Sequence, residues 1–329
     1  MAKALTQLGL SKRELALKRS QFYRAIRDFF DARAFVEVET PVLSESLIPE
    51  SAIEVFASAR MAHGEEPTPL YLTPSPEIYM KQLIAEGIGD CYQLTKSFRN
   101  GEHLGHRHQQ EFTMLEWYAI EQDYKSNLQV TQELLQYLAP LAHEDVRHLF
   151  TSFRTTTMKA LFVEYVDINL DNCDSLEDLK AEAIQAGFDD YAAKAESWEE
   201  LFHFIFISHI ENKLPQDKTL FICDYPAQIP TTAKQTGQYY ERWEFYMKGW
   251  EIANCYSEEA SYDGMHKLFL EEQTAKQDML VPHAVSFDYL DIFKDNQFPA
   301  CSGCALGVDR LFALALNAKS LADVNICKT

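Results

Sequence analysis

Two acidic residues flank a predicted turn late in the chain, and they could share one metal ion. Glu244 and Glu251 lie on either side of Lys248-Gly249, in a stretch whose apolar and aromatic residues predict a β-hairpin. A hairpin would bring both carboxylates together, and a pair of carboxylates can hold a magnesium ion. Taken by itself, the pair is more often an ordinary hairpin with solvated acids, because the chain carries 50 Asp and Glu residues.

The second strand of this hairpin carries further polar side chains. Asn254, Tyr256 and Glu258 alternate toward one face, since successive side chains of a strand point to opposite faces. Glu251 and Asn254 are separated by three positions, an odd number, so their side chains would lie on opposite faces of a regular strand. We therefore predict a β-bulge or a strong twist between them.

An earlier stretch, EFTMLEWYAI, mixes polar and apolar residues in the same way. Its alternation places Phe112, Met114, Glu116 and Tyr118 on one face of a predicted strand. An acid and a phenol among apolar neighbours could bind a cationic ligand. A structural ion pair is the alternative for an isolated buried Glu.

Two arginines stand at the ends of polar or glycine-rich segments. Arg99 lies in SFRN and Arg310 ends SGCALGVDR. Guanidinium groups hold phosphates in fork geometry. Taken alone, each arginine is more often a member of a surface ion pair than a phosphate ligand.

The cysteines and histidines predict no metal or redox centre. Seven scattered cysteines fit reduced thiols better than a disulfide framework, and Cys301 and Cys304 form a C-x-x-C pair without a second pair. His103, His106 and His108 fit a loop that closes over a ligand better than a metal-binding tract.

The bulk properties exclude several classes of protein. A net charge of −20 argues against a broad basic surface for nucleic acid. The first 20 residues have no apolar signal-peptide core, and no later run is long enough to span a membrane. We expect a soluble, cytoplasmic protein with no membrane association.

The pattern of elements predicts one domain over residues 1–329. Residues 12–34 form an amphipathic helix with Ser11 as N-cap, and FVEVETPVL begins as a strand that stops by Pro41. A loop is expected to about residue 70. A strand, a turn and a short helix ended by Gly87 follow, and then comes a long hairpin from CYQLTKSFRN to EFTMLEWYAI.

The second half of the chain predicts an insertion and then further strands. Residues of about 123–215 are expected to form a mostly helical insertion. Strands return at LFICDYP, ERWEFYMKG and WEIANCYSE, and SGCALGVDR turns into an apolar helix. No linker separates independent domains.

Three segments, in order, resemble the signature motifs of the class II aminoacyl-tRNA synthetases. FVEVETPVL resembles motif 1, FRNGEHLGHRHQQEF motif 2 and GCALGVDRL motif 3. The resemblance implies an α+β fold with a central antiparallel sheet flanked by helices, and a homodimer formed through motif 1. SPEIY, TMLEWY and the segment 244–258 resemble the lysine-specific branch.

Two features resemble, more narrowly, the truncated lysyl-tRNA synthetase relatives that attach a lysine, usually (R)-β-lysine, to translation elongation factor P. About eleven residues precede the first helix, which leaves no room for an N-terminal anticodon-binding barrel and argues against tRNA as acceptor. Ala305 stands where tRNA-charging enzymes have Gly. The implied reaction is ATP-dependent and AMP-forming, with Mg²⁺. The alternatives are a lysine ligase for tRNA or a small molecule, and an inactive synthetase-like regulatory subunit.

The resemblance also assigns roles to individual residues. A lysine ammonium needs carboxylates and hydroxyls that replace its water shell, and Glu116, Tyr118 and Glu258 suit that need. The implied ATP-binding residues are Arg99, Glu102, His108, Phe112, Glu244, Glu251 and Arg310, with Glu244 and Glu251 holding magnesium and Arg99 and Arg310 acting in catalysis. The implied substrate-binding residues are Glu77, Arg99, Glu116, Tyr118, Asn254, Tyr256, Glu258 and Ala305.

The motifs also depart from the family pattern at several positions. Gly101 precedes Glu102 in a loop that is one residue longer than usual, and Asn254-Cys255-Tyr256 replaces the family's Asn-Gly-Phe. These changes bear on the choice of amino acid more than on adenylation.

Overall fold

The computed structural model describes residues 8–48, 50–101, 105–276, 279–283 and 285–327. Its α-helices are α1 (Lys12–Asp31), α2 (Glu77–Ala85), α3 (Tyr124–Leu138), α4 (Met158–Val166), α5 (Leu176–Gln185), α6 (Asp189–Ala192), α7 (Trp198–Ile205), α8 (Tyr262–Ala275) and α9 (Val308–Ala315). A π-helical turn, Phe206–Ile210, continues α7, and a 3-10 segment spans Phe287–Asn296. Within the described ranges, no helix is long and apolar enough to cross a bilayer.

The strands form two sheets. They are β1 (Val36–Glu37), β2 (Leu43–Ser44), β3 (Phe56–Arg60), β4 (Thr68–Leu72), β5 (Cys91–Phe98), β6 (Glu111–Ile120), β7 (Phe153–Thr157), β8 (Thr219–Pro226), β9 (Gln235–Thr236), β10 (Tyr239–Met247), β11 (Trp250–Ser257) and β12 (Cys301–Gly307). The large sheet has the order β1-β5-β6-β12-β11-β10-β8-β7, and β9 pairs with β10. Its inner strands are antiparallel, whereas the outer pairs β1–β5 and β7–β8 are parallel. The predicted α+β fold is confirmed, with a sheet that is mixed at its two edges.

Helix α1 forms as its sequence predicts. The Ser11 side chain accepts from the Glu14 N–H while the Glu14 carboxylate accepts from the Ser11 N–H, so a capping box satisfies donors that the first turn leaves open. The buried residues are those of the predicted apolar face: Leu15, Phe22, Ile26, Phe29 and Phe30.

The prediction that a loop extends from about residue 42 to residue 70 is wrong for part of this segment. It contains β2, β3 and most of β4, which pair as a small antiparallel sheet. Residues 57–60 of β3 are exposed, so that strand lacks the buried alternation that marks a strand in a sequence. Strand β7 was missed within the otherwise helical segment 123–215 because its stability comes from parallel pairing with the distant β8.

The predicted bulge in the β10–β11 hairpin is confirmed. Phe245 pairs with Ala253 but Tyr246 pairs with Glu251, so Ile252 is an extra residue on β11. Lys248 and Gly249 both have positive φ, 52° and 71°, as a tight two-residue hairpin turn requires. The bulge lets Glu251 share a face with Asn254.

The C-x-x-C pair lies in β12, and its two thiols face opposite sides of the sheet. Cys304 belongs to the core beneath α1, α3 and α9, whereas Cys301 belongs to the core between α2 and α8. Their spacing of three places them on opposite faces of a strand, so they cannot chelate one metal ion.

A partly buried ion pair fastens the start of α9 to α1 and β6. Arg19 pairs with Asp309 and also donates through Nη2 to the Val324 carbonyl at 2.8 Å. The other Asp309 oxygen accepts from the Thr113 N–H at 2.6 Å. Asp309 thereby fixes the segment that carries its neighbour Arg310.

We predict that Arg19→Met lowers the free energy of unfolding by about 3 kcal/mol, because the buried Asp309 carboxylate loses its partner. Urea denaturation followed by circular dichroism measures the change. Lys18→Met is the control on the exposed side of the same helix, and it should change the free energy by less than about 0.5 kcal/mol. Equal effects of the two variants would contradict a stabilising role for the pair.

Candidate functional site

One cavity of about 690 Å³ opens on the face of the large sheet. It gathers the residues that the sequence singled out from five separate segments: Glu77, Arg99, His108, Phe112, Glu116, Tyr118, Glu244, Glu251, Asn254, Tyr256, Glu258, Ala305 and Arg310. Glu102, the remaining predicted site residue, lies outside the described residues. The shared cavity makes a joint role possible, while the individual roles remain predictions.

Arg310 is held in one orientation by three contacts. Its Nε donates to the Arg107 carbonyl at 2.9 Å, and its Nη1 donates to the Glu251 carbonyl at 2.9 Å. Its Nη2 lies 3.2 Å from Nδ1 of His108. The guanidinium is therefore positioned before any ligand arrives, which lowers the entropy cost of binding a phosphate.

Arg99 is another arginine that lines the cavity. Its guanidinium carbon lies 5.5 Å from the centroid of the Phe112 ring, and its backbone N–H donates to the Gln110 carbonyl. Among the described residues, its buried Nε has no hydrogen-bond partner. A buried donor without an acceptor is costly, so this group is suited to an anionic ligand.

Glu244 and Glu251 lie together on neighbouring strands, as predicted. Glu244 accepts from Arg242 Nη2 at 2.6 Å and from the Tyr225 and Tyr246 hydroxyls at 2.7 and 2.8 Å. Burial and the charge of Glu244 raise the pKa of Glu251 to about 7, although Arg310, Arg242 and Arg99 oppose the rise. A cation beside Glu251 would relieve this unfavourable charge.

The donor set fits magnesium that is shared with phosphates. In the described ranges, no group of three or more His, Cys, Asp or Glu side chains is arranged to hold a metal ion. Magnesium bound with a nucleotide needs only one or two carboxylates, because phosphates and water complete its shell. Glu251, and the part of the Glu244 carboxylate that its three donors leave open, could supply them.

Glu116 is one of the most buried acids of the cavity, with 3% of its surface exposed. It accepts from the Ser75 hydroxyl at 2.7 Å and from the Tyr118 hydroxyl at 2.8 Å. Burial and the charge of Glu77 raise the pKa of Glu116 to about 8. The protein itself therefore supplies too little positive charge at this end of the cavity.

Lys81 is a charged neighbour of the site that the sequence did not single out. Its side chain is fully buried, and its Nζ lies 2.5 Å from Glu77 Oε1 and 2.6 Å from Glu258 Oε2. The spacing of Glu77 and Lys81, four residues apart on α2, was the available signal. Its partner Glu258 is distant in sequence, so the complete cluster could not be anticipated.

Strand β12 forms the floor of the acid end. Ala305 lies across from Glu116 on β6 and from Asn254 on β11. Two residues earlier, a methyl group on Gly303 would overlap Glu258 Oε1 and the Tyr118 ring. Glycine at 303 thus lets the acid and the phenol approach the backbone closely.

Helix α7 and its π-helical turn form a wall of the cavity that the sequence also did not reveal. Phe202, His203 and Phe206 line the cavity near Glu244. This segment packs on a core of its own, built mainly from α4 to α7 and β8. Its helical periodicity predicted an element but not which surface the element would cover.

The cavity therefore combines two kinds of chemistry. Arg99, Arg310 and the Glu244–Glu251 pair could hold a magnesium-bound triphosphate. Glu77, Glu116 and Glu258 form the acid cage, as we call these three carboxylates, and it is suited to ammonium groups. An amino acid with a cationic side chain would then be held beside a nucleotide phosphate.

Relatives with similar sequences cover nearly the whole chain. The chain is 32% identical over 313 residues to an elongation factor P–(R)-β-lysine ligase of Yersinia enterocolitica, with 94% of this chain and 93% of the relative covered. The ligase of the same name from Vibrio atlanticus is 33% identical over 318 residues, with 93% of each covered. That from Haemophilus influenzae is 31% identical over 315 residues, with 94% and 93% covered.

The family model for class II tRNA synthetases (D, K and N) matches residues 6–326. This match covers the motif segments, the large sheet and every residue assigned to the cavity. The chain therefore belongs to the class II tRNA synthetase family of the D, K and N type.

Proposed function

We propose that this protein is an ATP-dependent ligase that activates a lysine-like amino acid, (R)-β-lysine, as an acyl-adenylate and transfers it to a lysine side chain of elongation factor P. The observation that carries the proposal is the meeting of two guanidiniums and the acid cage in one cavity. The names of the relatives support the substrate and the acceptor.

The first step proposed is attack of the amino acid carboxylate on the α-phosphorus of ATP, with pyrophosphate leaving. Arg99 would hold the carboxylate and the α-phosphate, and Arg310 would hold the γ-phosphate, so that reactants meet in line. Magnesium, held by Glu244 and Glu251, would supply further charge stabilisation to the phosphates. The Phe112 ring would stack on adenine, and His108 would bind a phosphate.

The second step proposed is attack of the neutral acceptor amine on the acyl-adenylate carbonyl. A new amide forms, AMP leaves, and the amine gives up a proton. No enzyme nucleophile is required, because the mixed anhydride is itself reactive. Because the amine must be neutral to attack, the acceptor side chain must lose its own proton before the amide forms.

Two alternatives use the same cavity. A ligase for tRNA or a small molecule would need the same activation residues, so only the transfer step separates it from our proposal. A catalytically inactive regulatory subunit is disfavoured by the presence of Arg99, Glu251 and Arg310 around one cavity.

We also propose a homodimer in the cytoplasm. Near motif 1, Leu17, Val36, Val42 and Leu43 are all more than a third exposed, and apolar groups at this density favour a covering partner. The free thiols found among the described cysteines fit a reducing compartment.

The decisive experiment is pyrophosphate exchange with (R)-β-lysine and with α-lysine, followed by transfer to purified elongation factor P and to bulk tRNA. We expect exchange with β-lysine and stable labelling of elongation factor P alone. Labelling of tRNA would favour the first alternative. Absence of exchange with every lysine isomer would favour the inactive subunit.

We predict that Ala305→Gly shifts the preference toward α-lysine by about tenfold in relative kcat/KM, because a methyl group leaves the pocket floor. The readout is exchange kinetics with both isomers. Ala119→Gly is the matched control, since Ala119 is buried on the opposite face of β6. An unchanged ratio in Ala305→Gly would contradict a selective role for this methyl.

We predict a dimer of about twice the 37.9 kDa chain mass in light scattering. Val36→Asp should weaken it, because a charge cannot be buried unpaired in an apolar interface. A monomeric wild-type protein at micromolar concentration would contradict the proposed assembly.

A further inference from the structure

Lys81 stands behind the acid cage rather than inside the cavity. It contacts Glu77 and Glu258, which both line the cavity, but Lys81 itself does not line it. Its side chain has no exposed surface. A ligand could therefore touch the two carboxylates without touching or displacing Lys81.

The ammonium of Lys81 is charged in this position. Burial alone would lower its pKa, but the charges of Glu258 and Glu77 outweigh burial and raise the pKa well above its ordinary range. Burial also raises the pKa of Glu258 to about 7, and the charge of Lys81 opposes that rise. Lys81 thus keeps Glu258 closer to its ionised form, the form that binds a cation.

The charges of this cluster match one class of ligand. When all three cage carboxylates are ionised, a state that a bound cation favours over the raised pKa values of Glu116 and Glu258, they and the Lys81 ammonium together carry two net negative charges. Burial, followed by the charge of Glu77, raises the pKa of the neighbouring rim acid Glu50 to about 7, so Glu50 contributes only part of a charge at neutral pH. Lysine and β-lysine each carry two ammonium groups, and Arg99 would face their carboxylate.

Lys81 also fixes the position of the two carboxylates. It binds Glu77 through Oε1 and Glu258 through Oε2, which leaves one oxygen of each for other donors. The Gly303 N–H also donates to Glu258. Without the ammonium, two buried carboxylates would repel each other and move apart, or one would take up a proton.

We propose that Lys81 is a positioning residue, a built-in cation that sets the net charge and the spacing of the acid cage so that it selects amino acids with two ammonium groups. This inference rests on the proposed function. It adds a group to the site that never meets the substrate. A purely structural ion pair is the competing explanation.

The test compares Lys81→Met with Ile84→Ala in lysine-dependent pyrophosphate exchange, below the melting temperature of both. Ile84 is buried on the same helix, and its truncation weakens packing without changing charge. We expect Lys81→Met to raise the amino acid KM at least about tenfold, with the KM for ATP within about twofold of wild type. Ile84→Ala should leave both KM values near wild type.

A second variant, Lys81→Arg, keeps the charge but changes its position. We expect an amino acid KM between those of wild type and Lys81→Met. The inference is overturned if Lys81→Arg equals wild type, if Lys81→Met raises both KM values together, or if it behaves as Ile84→Ala does. It is also overturned if neither Lys81 variant folds, since Lys81 would then be structural.

A ligand series separates this inference from the proposed function. 6-Aminohexanoate, which has one ammonium group, should inhibit wild type more weakly than α-lysine does. If wild type activates no lysine isomer, the proposed function fails. If wild type is active but binds the two ligands equally well, only the inference about Lys81 fails.

Discussion

The constraint on which the site depends is the cost of buried carboxylates that lack enough positive charge. The pKa values of Glu116, Glu251 and Glu258 are all raised, and burial is the largest cause in each case. Buried acids persist only when hydrogen bonds, cations or ligands compensate them. Ser75, Tyr118, Lys81 and the arginines provide part of that compensation, and a cationic substrate with magnesium would provide the rest.

The sheet supplies the positions from which these charges meet. Strands β6, β12 and β11 are neighbours, so Glu116, Ala305 and Asn254 lie side by side although they are far apart in sequence. The bulge at Ile252 shifts the alternation of side chains along β11, so Glu251 lies on the same face of the sheet as Asn254. The Arg19–Asp309 pair holds the start of α9, so the position of Arg310 depends on a contact made by the first helix.

Much of this fold could be predicted from local sequence signals. The capping box and apolar face of α1, the β5–β6 hairpin and the β10–β11 bulge all follow from short-range spacing. The large sheet and the joint cavity followed from the motif resemblance. The role of each site residue stays a prediction. Glu102 lies outside the described residues.

What could not be predicted depends on long-range pairing. Strand β7 is defined by its pairing with the distant strand β8. The buried cluster around Lys81 is completed by Glu258, which lies 177 positions later in the chain. The exposed strand β3 of the small sheet lacks the apolar alternation by which strands are recognised. Strand propensity and hydrophobic periodicity are local properties of the sequence, so they do not reveal contacts between distant segments.

The wall that α7 contributes has a consequence for how such a protein can diverge. Its helices pack on their own apolar cluster, apart from the core beneath α1, α3 and α9. Wall residues that do not contact β8 or β10 can therefore be exchanged with little effect on the strands that carry the charged groups, whereas Phe206 contacts Tyr246, whose hydroxyl donates to Glu244. The entrance could adapt to a differently shaped macromolecule while the chemistry on the sheet stays as it is.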